Sequence, residues 1–177
     1  TYGNREISYL QDDRTARSTL FWEIELLSFL STGICSAAYL IFLLFCDRSR
    51  FSLYAIQTIS IVCVAFDIAW LLQGMEEFGK VMFWNMLFKV INIVFIFVAV
   101  RDKDDLFLYV AGMVLLALAS NLSIWFYLPQ YIDRPVWNKL HPMRHLKPTL
   151  ALFIPSVAMS IYTVFDKTMI GLFANNF

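Results

Sequence analysis

Charge is what this 177-residue sequence has least of. Only 16% of its residues are Asp, Glu, Lys or Arg, where a soluble domain carries about a quarter. Fourteen basic and fourteen acidic residues cancel, which argues against a strongly basic nucleic-acid binder. Cysteine is sparse as well: Cys35, Cys46 and Cys63 lie in or at the ends of apolar runs, without a C-x-x-C spacing. They read as buried packing residues rather than metal ligands or a disulfide framework. The two histidines, His141 and His145, straddle Pro142 with no carboxylate or cysteine beside them. A solvated interface is the expectation there, ahead of a metal site. No nucleophile–base set, nucleotide-binding loop or metal cluster is recognisable. The chain is therefore expected not to be an enzyme, and no cofactor is implied. No n-region with a small-residue cleavage site precedes the first apolar run, so that run is not expected to be a signal peptide.

What is abundant is apolar surface: 59% of residues are hydrophobic, 17% aromatic, and mean hydropathy is +0.63. That excludes disorder and puts the chain in the membrane class. Apolar stretches run over about Leu20–Cys46, Phe51–Leu72, Val81–Val100, Leu106–Leu128 and Leu150–Met169. Each reaches the ~20 residues that cross a ~30 Å hydrocarbon core. Backbone groups in lipid must be satisfied within the segment, so the spans are expected to be helices. The fold expected is all-α: a polytopic membrane protein with a loop over 1–19, four spans to residue 128, a linker over 129–148 and a fifth span within 149–177. Four of the five prolines fall in or beside that linker: Pro129, Pro135, Pro142 and Pro148. Because the chain opens at Thr1 inside an apparent loop, the expectation is a segment from the interior of a longer protein.

Lys and Arg set the expected orientation. Arg5, Arg14, Arg17, Lys80, Arg134, Lys139, Arg144 and Lys147 fall on one side, against Arg48, Arg50, Arg101 and Lys103 on the other. The positive-inside bias then puts Thr1 in the cytoplasm and Phe177 outside.

The few polar residues within the spans fall in stripes at helical spacing. The first span presents Glu25, Ser28, Thr32 and Tyr39; the second presents Gln57, Ser60 and Asp67 on a face shared with Gly74. Asn85, Lys89 and Asn92 line one face of the third, and Tyr109, Gly112, Ser120, Ser123 and Tyr127 mark the fourth. The fifth carries Thr149, Ser156, Ser160, Thr163 and Lys167, with Pro155 in its first half. Small and hydroxylated residues serve helix packing, but Lys89 lies about 12 Å into its span, near the midplane. A cation there costs ~3 kcal/mol or more, so it needs a partner or a wet cavity. Two readings compete: a Lys89–Asp67 ion pair, or a hydrated groove with a cationic floor for an anionic head group.

Three strings carry a resemblance. They are Tyr2-Gly-Asn-Arg-Glu-Ile-Ser8, Asp67-Ile-Ala-Trp70-Leu-Leu-Gln73-Gly74-Met-Glu76-Glu77-Phe78, and the run from Pro155 through Asp166-Lys167 to Gly171. In order and spacing they resemble the Wzx-type oligosaccharide flippases, in the polysaccharide-biosynthesis branch of the multidrug/oligosaccharidyl-lipid/polysaccharide exporter superfamily. The resemblance implies transmembrane helices three to seven of a two-lobe transporter: four from the N-lobe, the inter-lobe linker, and the first helix of the C-lobe. It implies a substrate, undecaprenyl-diphosphate-linked oligosaccharide, moved from the inner to the outer leaflet of the cytoplasmic membrane by alternating access. The further partners implied are membrane lipid, a coupling H+ or Na+, and the polysaccharide polymerase machinery. On that basis Lys89 and Lys167 would neutralise diphosphate, while Asn85, Asn92, Gln73 and the Ser160 hydroxyl would bond sugar. Asp67 or Asp166 would carry the coupling ion; the alternative for Asp166 and Lys167 is snorkelling at the outer interface.

Rival readings stay open. A peptidoglycan-lipid flippase or a drug/cation antiporter shares the architecture, though an antiporter for cations should favour acids over Lys89. A membrane-embedded polymerase or ligase would need a large outer loop. The connectors Asp47–Arg50 and Arg101–Asp105 are too short to hold such a site.

Overall fold

A computed structural model describes residues 2–45, 51–102 and 105–174. Among the described residues the regular structure is helical throughout, and five helices are long and apolar enough to cross a membrane. The chain runs α1 (Tyr2–Tyr9), α2 (Arg14–Leu43), α3 (Phe51–Ala65), α4 (Ala69–Gly74), α5 (Phe78–Ala99), α6 (Leu106–Ile124), α7 (Leu128–Tyr131) and α8 (Leu146–Ala174). The polytopic helical class expected from composition is the one observed.

Several boundaries differ from those read off hydropathy, each for a local reason. Residues 1–19 are not all loop: α1 forms there, and α2 begins at Arg14, six residues before the apolar run. Asp13 accepts a hydrogen bond from the Ala16 N–H at 2.9 Å, which satisfies one of the first amides of the helix. The last span begins at Leu146, with Pro148 inside its first turn. A proline costs nothing there, because the amides of a first turn have no intrahelical acceptor. α8 also continues through Pro155.

Hydropathy reads the second span as unbroken. The structure interrupts it at Phe66–Ile68, between α3 and α4. α6 supplies the donors that make the break tolerable. Asn121 Nδ2 donates to the Cys63 carbonyl and Trp125 Nε1 to the Phe66 carbonyl, both at 2.9 Å. Interrupted helices persist at membrane depth only where neighbours satisfy the freed groups in this way.

The burial pattern is inverted relative to a soluble bundle. Large apolar side chains such as Ile34 on α2, Met86 and Val90 on α5, and Ile154 and Phe165 on α8 are exposed. The protein-facing side of α2 instead carries the stripe of Glu25, Ser28, Thr32 and Tyr39. An apolar surface this extensive fits a lipid solvent. Cys63 is buried as expected, but Cys35 is exposed. Its position on the outward face of α2 corrects the reading of all three cysteines as packing residues. Cys46, like the Asp47–Arg50 connector, lies outside the described residues.

α5 and α6 meet closely at a glycine. A Cβ on Gly112 would come within 2.0 Å of the Phe95 ring, so the helices approach across a small residue as membrane pairs do. Gly112→Leu is expected to force the ring out and to destabilise the pair by about 1–3 kcal/mol. Thermal unfolding of the detergent-purified full-length protein checks this; an unchanged midpoint contradicts the contact.

Candidate functional site

The third-span stripe borders an open furrow between α5 and α6, with Asn85 and Lys89 exposed and Asn92 half-buried. Asn85, Lys89 and Asn92 of α5 line one groove of about 270 Å³ with Met113, Ser120 and Asn121 of α6. Ser120 Oγ donates to Asn85 Oδ1 at 3.2 Å, and Asn92 Oδ1 is buried without a partner among the described residues. Lys89 makes no ion pair among the described residues. The expected alternative, a Lys89–Asp67 pair, is therefore not formed. A second groove of about 540 Å³ runs along the other flank of α6, lined by Gln57, Ser60, Cys63 and Tyr109. Met113 and Ala117 border both. Together the two furrows place amides, hydroxyls and one ammonium along the span-facing sides of α3, α5 and α6. Such a surface can hold a hydroxyl-rich ligand by hydrogen bonds and an anion by the Lys89 charge.

A family model described as polysaccharide biosynthesis protein matches residues 4–176. The chain belongs to that family. No curated protein and no solved structure matches it. The chain is thus a membrane protein of the polysaccharide biosynthesis family, and two of the strings that carried the resemblance meet in space. α1 lies across α4: Asn4 Nδ2 donates to Gln73 Oε1 at 3.3 Å, and a Cβ on Gly74 would come within 2.8 Å of the Asn4 carbonyl oxygen. Only glycine permits that approach of the two backbones. Gln73 is accordingly engaged with α1 and does not line the Lys89 groove.

In this polysaccharide biosynthesis protein the remaining candidates are dispersed. Asp67 sits exposed at the broken span, where its Oδ1 accepts from the Ala69 N–H at 3.1 Å. Ser160, Asp166 and Lys167 lie on α8, whose most apolar stretch has no buried residue. The Ser160 hydroxyl donates to the Ser156 carbonyl of its own helix at 2.9 Å, a self-contained arrangement that satisfies it locally.

Two polar clusters at the α1 end of the bundle escaped the sequence reading. Glu23, fully buried on α2, accepts from the His141 N–H at 2.7 Å and from Arg144 Nε at 2.9 Å. His145 Nε2 lies 2.8 Å from its Oε2, and the Tyr2 hydroxyl is 2.9 Å from His145 Nδ1. One neutral tautomer, protonated on Nε2, serves both ring contacts. Burial is the main cause that pushes the Tyr2 phenol up. His145 is thus buried and carboxylate-bound, which corrects the expectation of a solvated site for this histidine, while His141 is exposed. The signal in sequence was only that Glu23 sits just inside an apolar run.

The second cluster joins Glu77, Lys80 and Tyr131. The Tyr131 hydroxyl donates to Glu77 Oε1 at 2.8 Å, Lys80 Nζ lies 3.2 Å from the same oxygen, and Lys80 also bonds the Tyr131 hydroxyl. The Tyr131 hydroxyl, then the Lys80 ammonium, hold the Glu77 carboxyl below the usual carboxylate range. With Arg14 on Asp133 at 2.9 Å and Gln11 on the Gly74 carbonyl at 2.8 Å, these contacts gather α1, the turn after α4 and the 131–145 segment at one end of the bundle.

Proposed function

We propose that the chain is the part of a transporter that moves a lipid-linked oligosaccharide with an anionic, diphosphate-type head group between membrane leaflets. The observation that carries this reading is the Lys89 groove. An unpaired ammonium near the middle of an apolar span is costly unless an anionic ligand or water uses it. Amides and hydroxyls beside it suit sugar, and membership of the polysaccharide biosynthesis family supports a saccharide cargo. The end that gathers α1 and the 131–145 segment is the cytoplasmic one, on the Lys and Arg bias of its connectors. The cargo proposed is undecaprenyl-diphosphate-linked repeat units, taken from the cytoplasmic leaflet for polymerisation outside. The step is transport rather than catalysis, driven by an ion gradient through alternating access.

The test uses the full-length protein in vesicles that carry a tagged lipid-linked oligosaccharide in one leaflet. Active protein should expose the tag to an impermeant reagent on the opposite side, at a rate well above that of empty vesicles. Identical rates would overturn the reading.

A further inference from the structure

The first span holds a second buried carboxylate that none of these clusters uses. Glu25 on α2 is 1% exposed, and its Oε1 has no hydrogen-bond partner among the described residues. Phe29, one turn further along the same face, packs edge-on against Phe66 with ring centroids 5.7 Å apart. Glu25 therefore lies on the face of α2 that meets the break between α3 and α4.

The groups at that break are few. Asp67 is the acid at the break itself, exposed, with its Oδ1 accepting from the Ala69 N–H. Cys63 of α3 directs its Sγ to the Val114 carbonyl, 3.8 Å away. From α6 come Asn121 and Trp125, neither of which titrates, both already donating to carbonyls of the break. On α2 itself the neighbouring acid, Glu23, is committed to His141, Arg144 and His145.

An ionised carboxylate with no donor in such a place is strongly disfavoured. A metal cation would need several oxygen ligands. A proton needs only one carboxylate oxygen. Asn121 adds a second property, because it belongs to two places at once: it holds the Cys63 carbonyl and lines the Lys89 groove.

We propose that Glu25 is the proton-binding group of this chain, and that Asn121 links its protonation to the Lys89 groove. Binding converts the carboxylate and one proton to the neutral acid, which the enclosed Glu25 position accommodates. Loss of the proton leaves an anion that must recruit a donor, and the donors the break offers are the Asn121 amide and the Trp125 indole. Recruitment of Asn121 releases the Cys63 carbonyl and shifts the α6 wall of the groove. Proton binding stands on the geometry alone; its link to cargo rests on the transport reading.

Infrared difference spectroscopy of the full-length protein in lipid nanodiscs, titrated with acid, tests the binding step. The expected result is a protonated-carboxyl band that disappears in Glu25→Gln and returns, displaced in frequency, in Glu25→Asp. In Asp67→Asn the band should persist, because the exposed Asp67 is not the group that binds this proton. Exchanging Na+ for K+ should leave the titration unchanged. A band undiminished in Glu25→Gln, or one that follows Na+ instead of pH, overturns the proposal. Because no cargo is needed, this result is independent of whether the protein flips lipid. In the vesicle assay, Glu25→Gln should then abolish the response of the flipping rate to an imposed pH gradient; a retained response overturns the link through Asn121.

Discussion

Lys89→Gln in the full-length protein is expected to lower the rate of lipid-linked oligosaccharide transfer by about tenfold to a hundredfold. A hydrogen bond to a charged group contributes about 1.5–3 kcal/mol, and each 1.36 kcal/mol is a factor of about ten in rate. Glutamine keeps the length and a donor while deleting the charge, so the loss isolates the electrostatic part. The ammonium has no ion-pair partner among the described residues, so its removal leaves no carboxylate stranded and should spare folding. Asn85→Leu and Asn92→Leu on the same groove wall should act in the same direction with smaller effects, as lost neutral hydrogen bonds contribute less. Transfer at the unmodified rate in Lys89→Gln, with normal expression, would remove the groove from the mechanism. Salt offers a cross-check: a Lys–phosphate contact partly open to water should weaken as ionic strength rises.

The largest stability effect should come from Glu23. Its side chain is wholly enclosed and gathers the His141 amide, the Arg144 guanidinium and the His145 ring. Glu23→Ala strands a buried histidine and an inward-pointing amide while vacating the space between them. Breaking a buried pair by removing one partner costs roughly 3–5 kcal/mol. Because membrane proteins of this kind unfold irreversibly, the effect is best read as a rate. Residues 137–145 should become protease-sensitive, and inactivation on heating should quicken. Arg144→Gln should be milder, since half of that side chain already meets solvent. If Glu23→Ala left both proteolysis and heat inactivation unchanged, the cluster would not be what fixes the 137–145 segment to α2.

The two sites were legible to different degrees. Asn85, Lys89 and Asn92 could be placed on one face from spacing alone, because a helix in lipid has a fixed period and a charge in lipid must turn away from it. The structure put all three in one groove. Gln73 looked equally polar and equally placed, yet its partner is Asn4 of α1. Ser160 looked like a cavity hydroxyl and bonds its own helix backbone. Glu23 and Glu25 are two residues apart with similar flanks, yet one is saturated by donors more than 115 residues along the chain while the other keeps an oxygen without a partner. No local pattern separates them.

The second span shows the same divide. Nothing between Phe51 and Gln73 is a proline or a glycine, so the local signal favours an unbroken helix. The break depends on Asn121 and Trp125 of α6, 58 and 59 residues downstream of the carbonyls they satisfy.

Composition and spacing alone determined that this chain forms helices long and apolar enough to span lipid, with polar residues in stripes along them, because hydropathy and the 3.6-residue period act over a few turns. Tertiary structure alone decided which buried charge meets a partner, where the second span opens and which stripes share a groove. Those outcomes depend on donors and acceptors from distant helices, and a single span carries no record of what will pack against it.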